Sequence, residues 1–130
     1  MNRTIGALAA VAALMSQAAH GDEVRRTVFA GTLVGTWALN AQACDANDKS
    51  NYVIGENKYT TSPAGACSVM WIVETAAGQG TNYAVHASCV EETEHKTNIT
   101  NLIIRSQSND RLLIGTSFDD VKSYQRCPAK

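Results

Sequence analysis

Residues 67–89 read CSVMWIVETAAGQGTNYAVHASC, two apolar arms around a glycine-rich centre with a cysteine at each outer end. In the first arm Cys67, Val69, Trp71 and Val73 alternate with Ser68, Met70, Ile72 and Glu74. In the second, Tyr83, Val85, Ala87 and Cys89 alternate with Asn82, Ala84, His86 and Ser88. Period-two alternation marks a half-buried strand, and Ala76-Ala77-Gly78-Gln79-Gly80 has the small residues of a turn. The stretch reads as an antiparallel hairpin.

Residues paired across such a hairpin have a constant index sum. A turn centred on Gly78 sets Val73 opposite Tyr83, Trp71 opposite Val85, Val69 opposite Ala87 and Cys67 opposite Cys89. Directly opposed β-carbons lie about 4.5–5.5 Å apart. A disulfide prefers about 3.8 Å, so the closer, non-hydrogen-bonded phase is required. The register proposes Cys67–Cys89 and leaves Cys44–Cys127 to tie the first strand to the C-terminal tail. Strict up-and-down counting sets Cys44 and Cys127 at opposite ends of a barrel, unless a kinked strand, a seven-strand count or a long loop after Cys44 intervenes. Cys44–Cys67 with Cys89–Cys127 stands as the main rival.

The same register puts Trp71 and Tyr83 on the cysteine face, expected to line the interior. Trp37, beside Leu33 and Leu39, is expected to do the same. These aromatics either wall a ligand cavity or fill the core, and eight strands leave an interior just wide enough to be filled by side chains.

Outward from the hairpin the pattern continues. Leu33, Gly35, Trp37 and Leu39 share one face of a first strand, and Cys44 to Ser50 is polar and turn-like. Tyr52-Val53-Ile54 meets Lys58-Tyr59-Thr60 across a short loop. Three more strands are expected near Thr97–Arg105, Arg111–Thr116 and Val121–Arg126. About eight short antiparallel strands in one run, with no helical stripe, predict an all-β chain: an up-and-down barrel, with a β-sandwich as the alternative. A barrel also removes exposed strand edges.

The first residues decide the compartment. MNRTIGALAAVAALMSQAAHGDEV has a basic start, an apolar run from Ile5 to Met15 and then small residues. The run is too short to span a bilayer and fits the h-region of a secretory signal peptide. Residues 1–18 are expected to be removed, with cleavage as late as Gly21 the alternative, leaving one domain over 19–130 in the periplasm or outside the cell. In an oxidising compartment the four cysteines, Cys44, Cys67, Cys89 and Cys127, read as two disulfides. A net charge of −1, with no basic run longer than Arg25-Arg26, argues against a nucleic-acid or anionic-membrane surface.

Gly35-Thr36-Trp37 near the start of a strand-rich secreted chain resembles the Gly-x-Trp signature of the lipocalin and wider calycin barrels. In those families this Trp packs across the closed end of the barrel. Leu33-x-Gly35-x-Trp37-x-Leu39 followed by Cys44 also looks like the opening of the small periplasmic inhibitors of secreted bacterial metalloproteases. Those are eight-stranded calycin-like barrels with a disulfide, and their mature N-terminus projects into the protease cleft. Gly35 and Trp37 carry over, both as structural positions.

Candidate chemistry is thin. Between His86 and His95 the sequence concentrates two histidines and three carboxylates, and a divalent metal would use Glu91, Glu94 and His95. Such a cluster at a polar turn reads first as solvated surface, so no metal site is assigned. His86 shares the outward face with Asn82 and Ser88. No nucleophile elbow or Ser/His/carboxylate set stands out, Asp119-Asp120 looks like turn chemistry, and Gly78-Gln79-Gly80 opens a strand where phosphate cradles open a helix. No catalytic residue and no cofactor are assigned. The expectation is a non-enzymatic binding protein of the bacterial envelope, facing a protein partner such as a hydrolase it inhibits. A lipocalin-like carrier of a small apolar ligand and a structural envelope protein are the alternatives. The loops Gln42 to Asn51 and Val90 to Thr97 are the surfaces to test first.

Overall fold

Short alternating segments bounded by turn residues give nine strands in the computed structural model, which describes Glu23–Ala129. They are β1 (Val24–Arg26), β2 (Gly35–Ala38), β3 (Tyr52–Ile54), β4 (Lys58–Thr61), β5 (Gly65–Ala77) and β6 (Gly80–Val90). β7 (Thr97–Ser108), β8 (Arg111–Gly115) and β9 (Lys122–Arg126) complete the set. From β2 to β9 each strand pairs antiparallel with the next, and β9 returns to β2 through Trp37↔Arg126 and Ala38↔Gln125. The chain is a closed, eight-stranded up-and-down barrel. The leader read at residues 1–18, with its later cleavage point at Gly21, lies outside the described residues.

β1 is an addition. It pairs with β5 from Val24↔Glu74 to Arg26↔Ile72, on the edge that β4 leaves free beyond Lys58↔Ser68. Three residues are too few to show a period, so alternation gives no warning of it. An Arg26–Glu74 ion pair at 2.7 Å fastens it.

Both proposed disulfides are present. Cys67 and Cys89 face each other on β5 and β6 with Cα atoms 3.9 Å apart, and Cys44 joins Cys127 across 5.5 Å. The tension over the second bond is resolved by a helix. A short helix, α1 (Ala41–Asp45), replaces the polar turn expected after the first strand. The Asn40 side chain caps it by accepting from the Ala43 N–H at 2.9 Å. α1 doubles back along the outside of β2 and covers Ala38, which is fully buried on the outward phase of its strand. Cys44 is thereby carried back beside Cys127, whose N–H donates to the Thr36 carbonyl.

One placement is corrected. Trp71 is not inside. The predicted register holds from Cys67↔Cys89 to Val69↔Ala87, then slips at a bulge, so that Trp71 pairs with His86, Ile72 with Val85 and Glu74 with Tyr83. Met70 is the extra residue. One extra residue in one strand inverts the faces of everything beyond it. Ile72 points into the barrel and Trp71 points out. The sequence is apolar on both phases from Val69 to Val73, so alternation does not choose between them.

Candidate functional site

One end of the barrel is sealed by Trp37 and the segment before it. A 3-10 turn, Gly31–Leu33, precedes β2 and buries Leu33. The indole of Trp37, also fully buried, donates to the Leu33 carbonyl at 2.9 Å. Arg126, at the end of β9, lies 4.3 Å over the Trp37 ring. Its guanidinium donates to the carbonyls of Thr32, Val34 and Asn109. The Gly of Gly35-Thr36-Trp37 has a stated job here. It sits at φ 144°, and a β-carbon on it would come within 2.8 Å of the Arg126 Nη1. Sequence reasoning found Gly35 and Trp37 and missed Arg126, because nothing near position 126 marks it as the partner of a tryptophan 89 residues earlier.

The interior is packed. Trp37, Tyr59, Ile54, Ile72, Leu102, Ile104, Leu112 and Ile114 are all 0–2% exposed. A cavity wide enough for a ligand would leave its walls accessible. Tyr83 is also buried, and Phe29, Tyr52, Tyr59 and Tyr124 form an aromatic cluster in which Phe29 meets Tyr59 and Tyr52 meets Tyr124 edge to face, with Tyr52 tilted against Tyr59. Burial pushes the phenols of Tyr52 and Tyr59 up to about 12, and Tyr124 and Tyr83 upward by the same cause.

The features with binding character lie on the outer wall. Trp71, His86 and Asn101 form one row across β5, β6 and β7. The indole stacks on the imidazole, with centroids 4.2 Å apart and planes 18° from parallel. The imidazole Nδ1 shares a 2.7 Å hydrogen bond with the Asn101 Oδ1. Arg25 of β1 lies over the Trp71 ring at 5.2 Å. The next row is Val73, Ala84 and Ile103. Ala84 is short, so a depression of about 360 Å³ opens between its neighbours, roofed at one side by Thr116, Ser117 and Phe118 of the β8–β9 turn. Asp120 fixes that turn by accepting from the Thr116 hydroxyl at 2.6 Å and from the Thr116 and Ser117 N–H groups. These bonds, the hydroxyl's first, hold its carboxyl below the usual range. Phe118 is left 62% exposed at the tip.

The other candidates are dispersed or engaged. The loops at 42–51 and 90–97 meet at one end of the barrel, where the Ser62 N–H donates to the Lys49 carbonyl and its hydroxyl to Glu92. Glu91 accepts from the Asn98 amide at 2.6 Å, and Glu94 pairs with Lys96 at 3.0 Å. Among the described residues no three His, Cys, Asp or Glu side chains converge on a point that holds a metal, and Glu91, Glu94 and His95 form no such set. Asp119-Asp120 lies in the turn between β8 and β9. The N-terminal stretch Ala19–Asp22 lies outside the described residues, and from Val24 the chain is docked on β5.

Among the described residues no helix is long and apolar enough to cross a membrane. The two disulfides fit an oxidising compartment. Compared with protein families, with curated proteins and with solved structures, the chain matches none.

Proposed function

We propose that the chain is an exported, non-enzymatic binding protein of the bacterial envelope that engages a protein partner, with inhibition of a secreted or host hydrolase as its use. The observation that carries this reading is the packed interior, whose buried side chains are 0–8% exposed. A barrel without room inside has its rims, loops and outer wall left to work with. The engagement of His86 with Trp71 and Asn101, and of Glu91, Glu92 and Glu94 with Asn98, Ser62 and Lys96, supports a role other than acid–base catalysis.

A plugged end built on Gly35-Thr36-Trp37 supports a likeness to the calycin barrels, and with it a periplasmic address. It gives less support to a carrier that holds an apolar ligand inside, as lipocalins do. The test is to tag the protein in its native host, isolate it from the periplasm under oxidising conditions and assay what co-purifies for hydrolase activity, bound and after release. A partner whose activity rises on release is the expected result. Apolar ligands that quench the buried Trp37, with no protein partner recovered, would replace this reading by the carrier.

A further inference from the structure

We propose that the outer face of β5, β6 and β7, centred on the depression between Trp71 and Phe118, docks a partner protein that presents an apolar side chain flanked by carboxylates. The proposal rests on the protein-facing reading above and assigns it a surface and a charge.

Three observations converge on this face. The first is preorganised apolar area. Phe118 stands 62% exposed on a turn pinned by three hydrogen bonds to Asp120, and Ile99 and Met70 on the same wall are 56% and 42% exposed. An outer sheet face ordinarily turns polar residues to water, so such a concentration marks an interaction site.

The second is Trp71 itself. Arg25 covers it from β1 and His86 stacks on it from β6, which fixes its rotamer before any partner arrives. A fixed Trp with an adjacent Arg, beside a pocket floored by Ala84, is the arrangement in which interface energy concentrates.

The third is charge. Arg26 is neutralised by Glu74, but among the described residues neither Arg25 nor Arg105 pairs with a carboxylate. Arg105 lies one row beyond Ile103, on the phase that faces out, and its Nε–H donates to the neutral Asn82 amide. The two guanidinium groups thus flank the apolar area on different strands, Arg25 on β1 over Trp71 and Arg105 on β7 beyond Ile103, with their bidentate preference for carboxylate unspent. Asp119 follows Phe118 in the exposed β8–β9 turn. The charge selects an occupant whose carboxylates reach these arginines while its apolar residue enters under Phe118. The depression takes a single protruding side chain, which a flat bilayer surface does not offer.

The test uses the oxidised protein as bait for a displayed library of random peptides, in parallel with anionic phosphatidylglycerol vesicles. Enriched peptides are expected to carry an aromatic or large aliphatic residue flanked by Asp or Glu. Their affinity is expected to fall about tenfold or more in F118S and in R105E. Circular dichroism checks that both variants keep the barrel. Peptides that are basic or uncharged, peptides indifferent to both variants, no enrichment, or binding to vesicles alone would each overturn the proposal. If a native partner still binds F118S and R105E at full strength, this surface fails while the protein-facing reading survives.

Discussion

The guanidinium of Arg126 lies 4.3 Å over the indole of Trp37, and it donates at the same time to the carbonyls of Thr32, Val34 and Asn109. One side chain therefore joins the last strand, the first barrel strand, the 3-10 turn before it and the β7–β8 connection. Arg126→Ala removes the cation–π contact and leaves the three exposed carbonyls to water. The expected loss is about 1–2 kcal/mol, read from urea unfolding of the oxidised protein. Arg126→Lys is expected to recover little of it, because an ammonium cannot fork toward several carbonyls.

The two tryptophans should behave as opposites. Trp37→Ala empties a fully buried site and is expected to cost about 3–5 kcal/mol. Trp71→Ala, on the outer wall, is expected to cost about 1.5 kcal/mol or less. Acrylamide should quench Trp71 in Trp37→Phe far more strongly than it quenches Trp37 in Trp71→Phe.

Deleting Met70 is expected to be tolerated, at a cost of about 1 kcal/mol or less. Without it Val69 and Trp71 become consecutive opposite Ala87 and His86, so every side chain beyond keeps its face. Substituting Met70 leaves the bulge in place, and inserting a further residue beside it should unfold the hairpin. Denaturant midpoints of the deletion and the insertion separate these outcomes.

The disulfides close loops of different length and stand at different depths. Cys44–Cys127 spans 83 residues and Cys67–Cys89 spans 22. Chain entropy then assigns the first about 4.5 kcal/mol and the second about 3.5 kcal/mol. Cys67 and Cys89 are fully buried whereas Cys127 is half-buried, so mild reductant without denaturant should free Cys44 and Cys127 for alkylation first. Peptide mapping of the alkylated protein checks the order.

Stability should be lost on the alkaline side. The folded phenols of Tyr52 and Tyr59 titrate at about 12, above the ordinary value of 10.0, because burial disfavours the phenolate. The unfolded chain releases those protons first. Their contribution is therefore complete below pH 10 and is lost as pH rises from 10 through about 12. Tyr59→Phe is expected to shallow that decline, and a flat urea midpoint between pH 9 and pH 12 in the parent chain would contradict it.

Much of this architecture is legible along the chain because its causes are local. Alternation sets the strands, turn residues set their ends, and a constant index sum brings Cys67 to Cys89. That arithmetic holds only while both strands keep step. At Met70 they lose step, and the face of Trp71 was decided by which side chain fits a packed interior: Ile72 does, and the indole was turned out onto His86. The position of Cys44 beside Cys127, the closure of Arg126 over Trp37 and the grouping of Arg25, Trp71, Ala84 and Phe118 have the same origin. Each joins segments distant in sequence, and volume and ring closure, which belong to the whole barrel, determine which of them meet.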